Sequence, residues 1–154
     1  MTLTDLVAPK AIIPTLKADS KKQAIQEISA RAAELTGENE HGILEILLQR
    51  EKLGSTAVGN GVAIPHGKLP KLTKLFGLFA RLEEPIDFEA LDGQPVDLIF
   101  LLLAPENAGA DHLKALARVA RLLRDADVAR KLRESRDADA LYAALTLPPA
   151  SSAA

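Results

Sequence analysis

Asp97-Leu98-Ile99-Phe100-Leu101-Leu102-Leu103 is the stretch on which the reading of this chain turns. After one charge at its entry it is apolar throughout, with no alternation that would leave one face wet. A strand of this kind is buried on both faces in the centre of a sheet. The apolar run, Leu98 to Ala104, is far short of the ~20 residues a membrane helix requires. Helices must then cover both sides of that sheet. The expected fold is therefore α/β: a three-layer α/β/α sandwich with a mixed central sheet.

Working outward, Leu75 to Leu82 reads as the second clear strand. Upstream of it, Gly59-Asn60-Gly61 offers a hairpin turn between Thr56-Ala57-Val58 and Val62-Ala63-Ile64. Pro65 ends the second of these and holds Ile64 extended, which predicts His66 at a strand end beside Gly67, its imidazole turned outward. Nearer the start, Ala11-Ile12-Ile13 reads as a strand ended by Pro14. Ser20 and Gln23 have capping-box spacing, and Ala24, Ile25, Ile28, Ala32 and Leu35 recur at helical intervals until Gly37. A second helix from about Glu40 carries Ile43, Leu44, Leu47 and Leu48 on one side and exits at Gly54, which puts Arg50 near its end. From Asp111 to Leu145 the chain reads as helical, broken near Asp125 and Asp137, each a plausible N-cap. Leu113, Leu116, Ala117, Ala120 and Leu123 are the expected inward stripe of the first of these helices. Residues 1–147 form one domain on this reading, and 148–154 a disordered tail.

Composition narrows the function. A chain of 154 residues is of single-domain size and buries roughly 70% of its unfolded surface. With four Phe, one Tyr and no Trp, it has no aromatic platform for single-stranded nucleic acid. Nineteen basic against 21 acidic residues give a net charge of −2, so no overall field draws it to a nucleic acid or an anionic membrane. Proteins or small molecules are the expected partners. The absence of cysteine excludes disulfides, thiolate chemistry and sulfur-bound zinc, and agrees with a reducing compartment. Met1-Thr2-Leu3-Thr4-Asp5 lacks the basic and apolar regions of a signal peptide. The expected location is cytoplasmic.

Three histidines and one arginine concern the chemistry. His66 stands in Gly61-Val62-Ala63-Ile64-Pro65-His66-Gly67-Lys68, and an imidazole that titrates near 6.5 offers a neutral, nucleophilic nitrogen at cytoplasmic pH. The same segment is not a nucleotide-binding loop, because Val62 stands where the first glycine is needed and Leu69 where the magnesium-binding hydroxyl is needed. His112, after Asp111, opens a helix just beyond the buried strand, where α/β sheets place their sites. On the residues alone the leading reading is that Asp111 caps the helix and His112 is a half-exposed first-turn residue. His41 has an ordinary first-turn position and no assigned role. Arg50 offers a rigid donor fork suited to a phosphoryl group, or a solvated helix charge.

Leu48-Gln49-Arg50-Glu51-Lys52-Leu53-Gly54-Ser55-Thr56, together with Gly59-Asn60-Gly61-Val62-Ala63-Ile64-Pro65-His66-Gly67-Lys68, closely resembles the enzyme IIA family of fructose and mannitol type in the bacterial phosphotransferase system. The likeness continues through Glu84-Pro85-Ile86-Asp87-Phe88, Asp92-Gly93-Gln94-Pro95-Val96-Asp97-Leu98 and Ala104-Pro105 to His112-Leu113. The wording around Arg50 and His66 is most like the nitrogen-regulatory branch. That resemblance implies that His66 carries the phosphoryl group, received from an HPr-like carrier, and that His112 and Arg50 line the same site. It implies no metal, nucleotide or other cofactor. Partner regulation by phosphorylation state, with sensor kinases, potassium transport and nitrogen metabolism as targets, belongs to the same implication. Ser55, Thr56 and amides around Gly67 are further donor candidates. The alternatives are a sugar-specific IIA component that passes phosphate to a IIB cysteine, a binding module that is never phosphorylated, and a His66/His112 metal site. Lys114, Arg118 and Arg121 also form a basic stripe, read as a solvated helix face or as a border of the site for an acidic partner.

Overall fold

The computed structural model describes residues 3–147; the tail expected at 148–154 lies outside them. A short helix α1 (Leu3–Leu6) leads into β1 (Val7–Leu16), then α2 (Lys21–Thr36) and α3 (Glu40–Lys52). The hairpin β2 (Ala57–Gly59) and β3 (Val62–Ala63) follows, then β4 (His66–Leu69), β5 (Phe76–Ile86) and β6 (Val96–Pro105). The chain closes with α4 (Ala110–Arg124), α5 (Ala126–Glu134) and α6 (Ala138–Thr146).

The sheet is mixed, in the order β1-β5-β6-β3-β2, with β4 also paired to β6. β6 is its centre: β5 runs antiparallel on one side, β3 and β4 parallel on the other. Every residue from Leu98 to Ala104 is fully buried, so both faces of β6 are covered, as its unbroken apolar run predicts. α2 packs with α3, and α4, α5 and α6 pack in succession. These two groups are the outer layers of the three-layer α/β/α sandwich.

Helix ends follow their sequence signals. Ser20 Oγ accepts from the Gln23 amide at 3.1 Å, while Gln23 Oε1 reaches the Asp19 amide rather than that of Ser20. Gly37, at φ 79°, closes α2 in the left-handed conformation that costs glycine least. Asp125 caps α5 and Asp137 caps α6 through their carboxylates.

Three expectations need correction. β1 does not end at Pro14 but runs from Val7 to Leu16 through Pro9 and Pro14. It is an edge strand, where a missing N–H can face away from the ladder, and its pairing with β5 shifts register. The inward stripe of α4 is His112, Ala115, Val119 and Leu123, with Leu116 and Ala120 partly covered; Leu113 and Ala117 face outward. A histidine occupies a core-facing position there, and scoring only apolar residues rotates the helix incorrectly. Finally, His66 does not end a strand but opens one.

Candidate functional site

The placement of His66 follows from β6. Val62 and Ala63 stand beside Leu98 and Ile99, and His66 and Gly67 beside Leu102 and Leu103, so β3 and β4 keep a single register across Ile64-Pro65. Pro65 removes one donor yet its carbonyl still accepts from the Leu102 amide at 2.9 Å. Alternation along β4 then sends neighbouring residues to opposite faces. Gly67 turns to α3, so closely that a Cβ there would lie 2.5 Å from Ile46 Cγ2. His66 turns the other way, to where α4 begins beyond the end of β6.

There His66 meets His112, ring centroids 5.7 Å apart and planes at 64°. His66 is half-buried rather than simply turned outward. Its Nδ1 lies 2.9 Å from the Ile64 carbonyl, which can only accept, so Nδ1 carries the proton and donates it. In the neutral ring Nε2 is consequently the bare, nucleophilic nitrogen. Burial holds the proton affinity of His66 below its ordinary value; the Ile64 carbonyl opposes this, the Arg50 charge adds to it and Glu51 opposes it. His112 is 7% exposed, and its Nε2 is buried without a hydrogen-bond partner. Its proton affinity is also lowered, first by burial, then by His66 and Lys68. An orphaned ring nitrogen beside a nucleophilic one is costly for folding alone.

Arg50 sits in the last turn of α3, close enough for its charge to act on His66, with Nη1 donating to the Gly54 carbonyl at 2.9 Å. The family resemblance singled out His66, His112 and Arg50, and the fold sets His112 against His66 with the Arg50 charge within reach of it. What sequence reasoning missed is the support beneath Arg50. Glu51 is almost fully buried; it pairs with Lys21 at 3.0 Å and accepts from both the amide and the hydroxyl of Thr56. Lys21 also reaches Glu89 at 3.2 Å and lies over the Phe88 ring. This cluster ties the start of α2 to the loop that follows α3. Nothing in the local sequence marks Glu51 as buried, because the charge that pairs with it, Lys21, comes from the start of α2.

Ser55 and Thr56 are not free donors: Ser55 Oγ donates to the Phe88 carbonyl at 2.6 Å, and Thr56 Oγ1 to Glu51. His41 is on the surface beside Glu45. A cavity of about 740 Å³ lies between α3 and Leu69–Lys71, lined by Gly42, Ile46 and Gln49 but not by the histidines. Among the described residues no three His, Asp or Glu side chains gather to hold a metal ion. Among them, too, no helix is long and apolar enough to cross a membrane.

The mixed sheet thus holds His66, on β4 beside the central β6, against His112, with Arg50 in the last turn of α3. The family described as "Phosphoenolpyruvate-dependent sugar phosphotransferase system, EIIA 2" matches residues 5–147, and the chain belongs to it. Within that family it sides with the nitrogen-regulatory branch. It is 74% identical over 153 residues to a nitrogen regulatory protein of Bradyrhizobium diazoefficiens, covering 99% of this chain and 100% of the relative. The crystal structure of nitrogen regulatory protein IIA-Ntr from Neisseria meningitidis superposes with a TM-score of 0.88 at 35% identity, covering 94% of this chain and 99% of that one. IIA mannitol from Escherichia coli shares the fold, with a TM-score of 0.77 at 23% identity over 90% of this chain and 98% of that one.

Proposed function

We propose that this chain is a cytoplasmic nitrogen-regulatory phosphocarrier that accepts a phosphoryl group on Nε2 of His66 from an HPr-like donor and changes its protein partners accordingly. The observation that carries the reading is the pair of histidines: His66 with Nδ1–H bound to Ile64, and His112 with a buried, unpartnered Nε2. Nε2 of His66 attacks the phosphorus of the donor's phosphohistidine in line; the new N–P bond forms as the donor's N–P bond breaks, and the donor imidazole leaves. Nδ1 of His66 keeps its proton throughout, and the Ile64 carbonyl stabilises the positive charge the phosphorylated ring gains. The group arrives with about −1.5 to −2 charges. Arg50 supplies a countercharge, and His112 Nε2, carrying a proton, donates the hydrogen bond it otherwise lacks. Position and electrostatics suffice for this chemistry, which needs no cofactor.

The nitrogen-regulatory role rests on the relatives that carry that name. Sensor kinases and potassium transport systems are the partner classes to examine first. Intact mass after incubation with phosphoenolpyruvate, enzyme I and a nitrogen-type HPr tests the carrier function. One acid-labile phosphoryl adduct is expected on the wild type and none on His66→Ala. An adduct that survives on His66→Ala contradicts the assignment. Rapid transfer onward to a IIB cysteine would instead favour a sugar-transport role.

A further inference from the structure

α4 turns His112, Ala115, Val119 and Leu123 inward and presents Leu113, Lys114, Ala117, Arg118, Arg121 and Arg124 to solvent. Among the described residues none of those four cations forms an ion pair. Lys114 and Arg118 are one turn apart, and like charges at that spacing weaken a helix, whereas Arg121 and Arg124 stand in its last turn, where cations favour it, so helix stability does not account for Lys114 and Arg118. Lys114, Ala117, Arg118 and Arg121 line a cleft of about 310 Å³. At its site-proximal end stands Leu113, 68% exposed and adjacent to His112. Lys68, from β4, adds to the same field, since its charge is felt at His112.

We propose that this outer face of α4 docks an acidic segment of a partner protein, with carboxylates paired to Lys114, Arg118 and Arg121 and an apolar side chain set against Leu113 and Ala117. The array is unpaired on a chain whose net charge is −2, so its field is local and selects a partner by complementarity rather than attracting polyanions in general. Single-stranded nucleic acid fits poorly, because the exposed face offers no aromatic ring for a base. The face starts where the site ends: Arg118 lies about 9 Å along the helix axis from His112, at ~1.5 Å per residue. A dianion on His66 therefore opposes the docking of an acidic partner, a coupling that rests on the reading of His66 given above. The surface itself does not.

The test uses the unphosphorylated chain, so its outcome is independent of whether His66 is the acceptor. A fluorescein-labelled synthetic helix, with glutamates at i, i+4 and i+7 and a leucine beside them, is titrated by anisotropy at about 50 mM salt and again at ten times that. Circular dichroism confirms that each variant is folded. Arg118→Glu with Arg121→Glu should weaken binding about tenfold or more at low salt, with little difference at high salt. Leu113→Ala should weaken it at both. Lys10→Glu on β1 with Lys17→Glu just past its end, both exposed, should leave it unchanged. Binding that is indifferent to the α4 variants overturns the proposal. So does equal loss in the β1 control, or tighter binding of a labelled RNA oligonucleotide to the same face.

Discussion

Gly67→Ala is the smallest change that tests how the site is held. The added Cβ would lie 2.5 Å from Ile46 Cγ2, whereas ordinary contact begins at 3.4 Å, so α3 and β4 must separate by about 1 Å. Ile46 cannot yield by swinging a chain end, because Cγ2 is fixed to a β-branched carbon with few rotamers. Overpacking of this kind costs about 1–3 kcal/mol, which for a domain this size lowers Tm by roughly 2–12 °C. The displacement also moves Arg50 away from His66, so phosphoryl acceptance should slow by more than the loss of folded protein explains. Urea unfolding and single-turnover phosphorylation of Gly67→Ala, Ile46→Ala and the double variant form a cycle. In the Ile46→Ala background the glycine substitution should cost about 0.5 kcal/mol or less, since its clash is gone. An equal cost in both backgrounds would refute the steric reasoning.

Other expectations concern charge. His66 and His112 both bind protons less readily folded than at the ordinary value of 6.5, so below that value the unfolded chain takes up more protons. Stability should be flat above about pH 6.5 and fall as pH drops through the lowered folded values; in His66→Gln/His112→Gln the slope in that window should be shallower, and identical slopes would contradict it. Glu51→Gln keeps an acceptor for Thr56 but loses the Lys21 pair, which should cost about 1–3 kcal/mol in urea unfolding. It should also move the His66 titration, followed by proton NMR, further down, because Glu51 raises it; an upward movement would show the charge coupling to be misread. Arg133 Nη2 donates to the Asn60 carbonyl at 2.6 Å while Nε pairs with Asp97, pinning the β2–β3 turn. Arg133→Ala should speed amide hydrogen exchange across Gly59–Gly61 with little change at Phe100–Leu103 in the middle of β6.

The layers and the site were legible for different reasons. Leu98 to Leu103 declared a central strand because burial on both faces leaves no alternation, and the Gly59-Asn60-Gly61 turn was readable because Gly59, Asn60 and Gly61 all have positive φ. His66, His112 and Arg50 were legible as chemistry joined by a resemblance. Proline was over-read at position 14, since its effect depends on whether the strand has a neighbour on the side of the missing N–H. α4 was misrotated because the buried residue in its first turn is a histidine, whose inward position follows from the site and not from hydropathy. Glu51 was invisible because its charge partner, Lys21, is remote in sequence and reaches it only in the folded chain.

Long-range proton–nitrogen NMR of the phosphorylated, histidine-labelled protein reaches the centre of the account. The nitrogen bearing phosphorus should be Nε2 of His66, with Nδ1 protonated and the signals of His112 displaced by the new neighbour. Phosphorus on Nδ1 of His66, or on His112 or His41, would contradict the account, because the Ile64 hydrogen bond that fixes the tautomer would then not govern the chemistry.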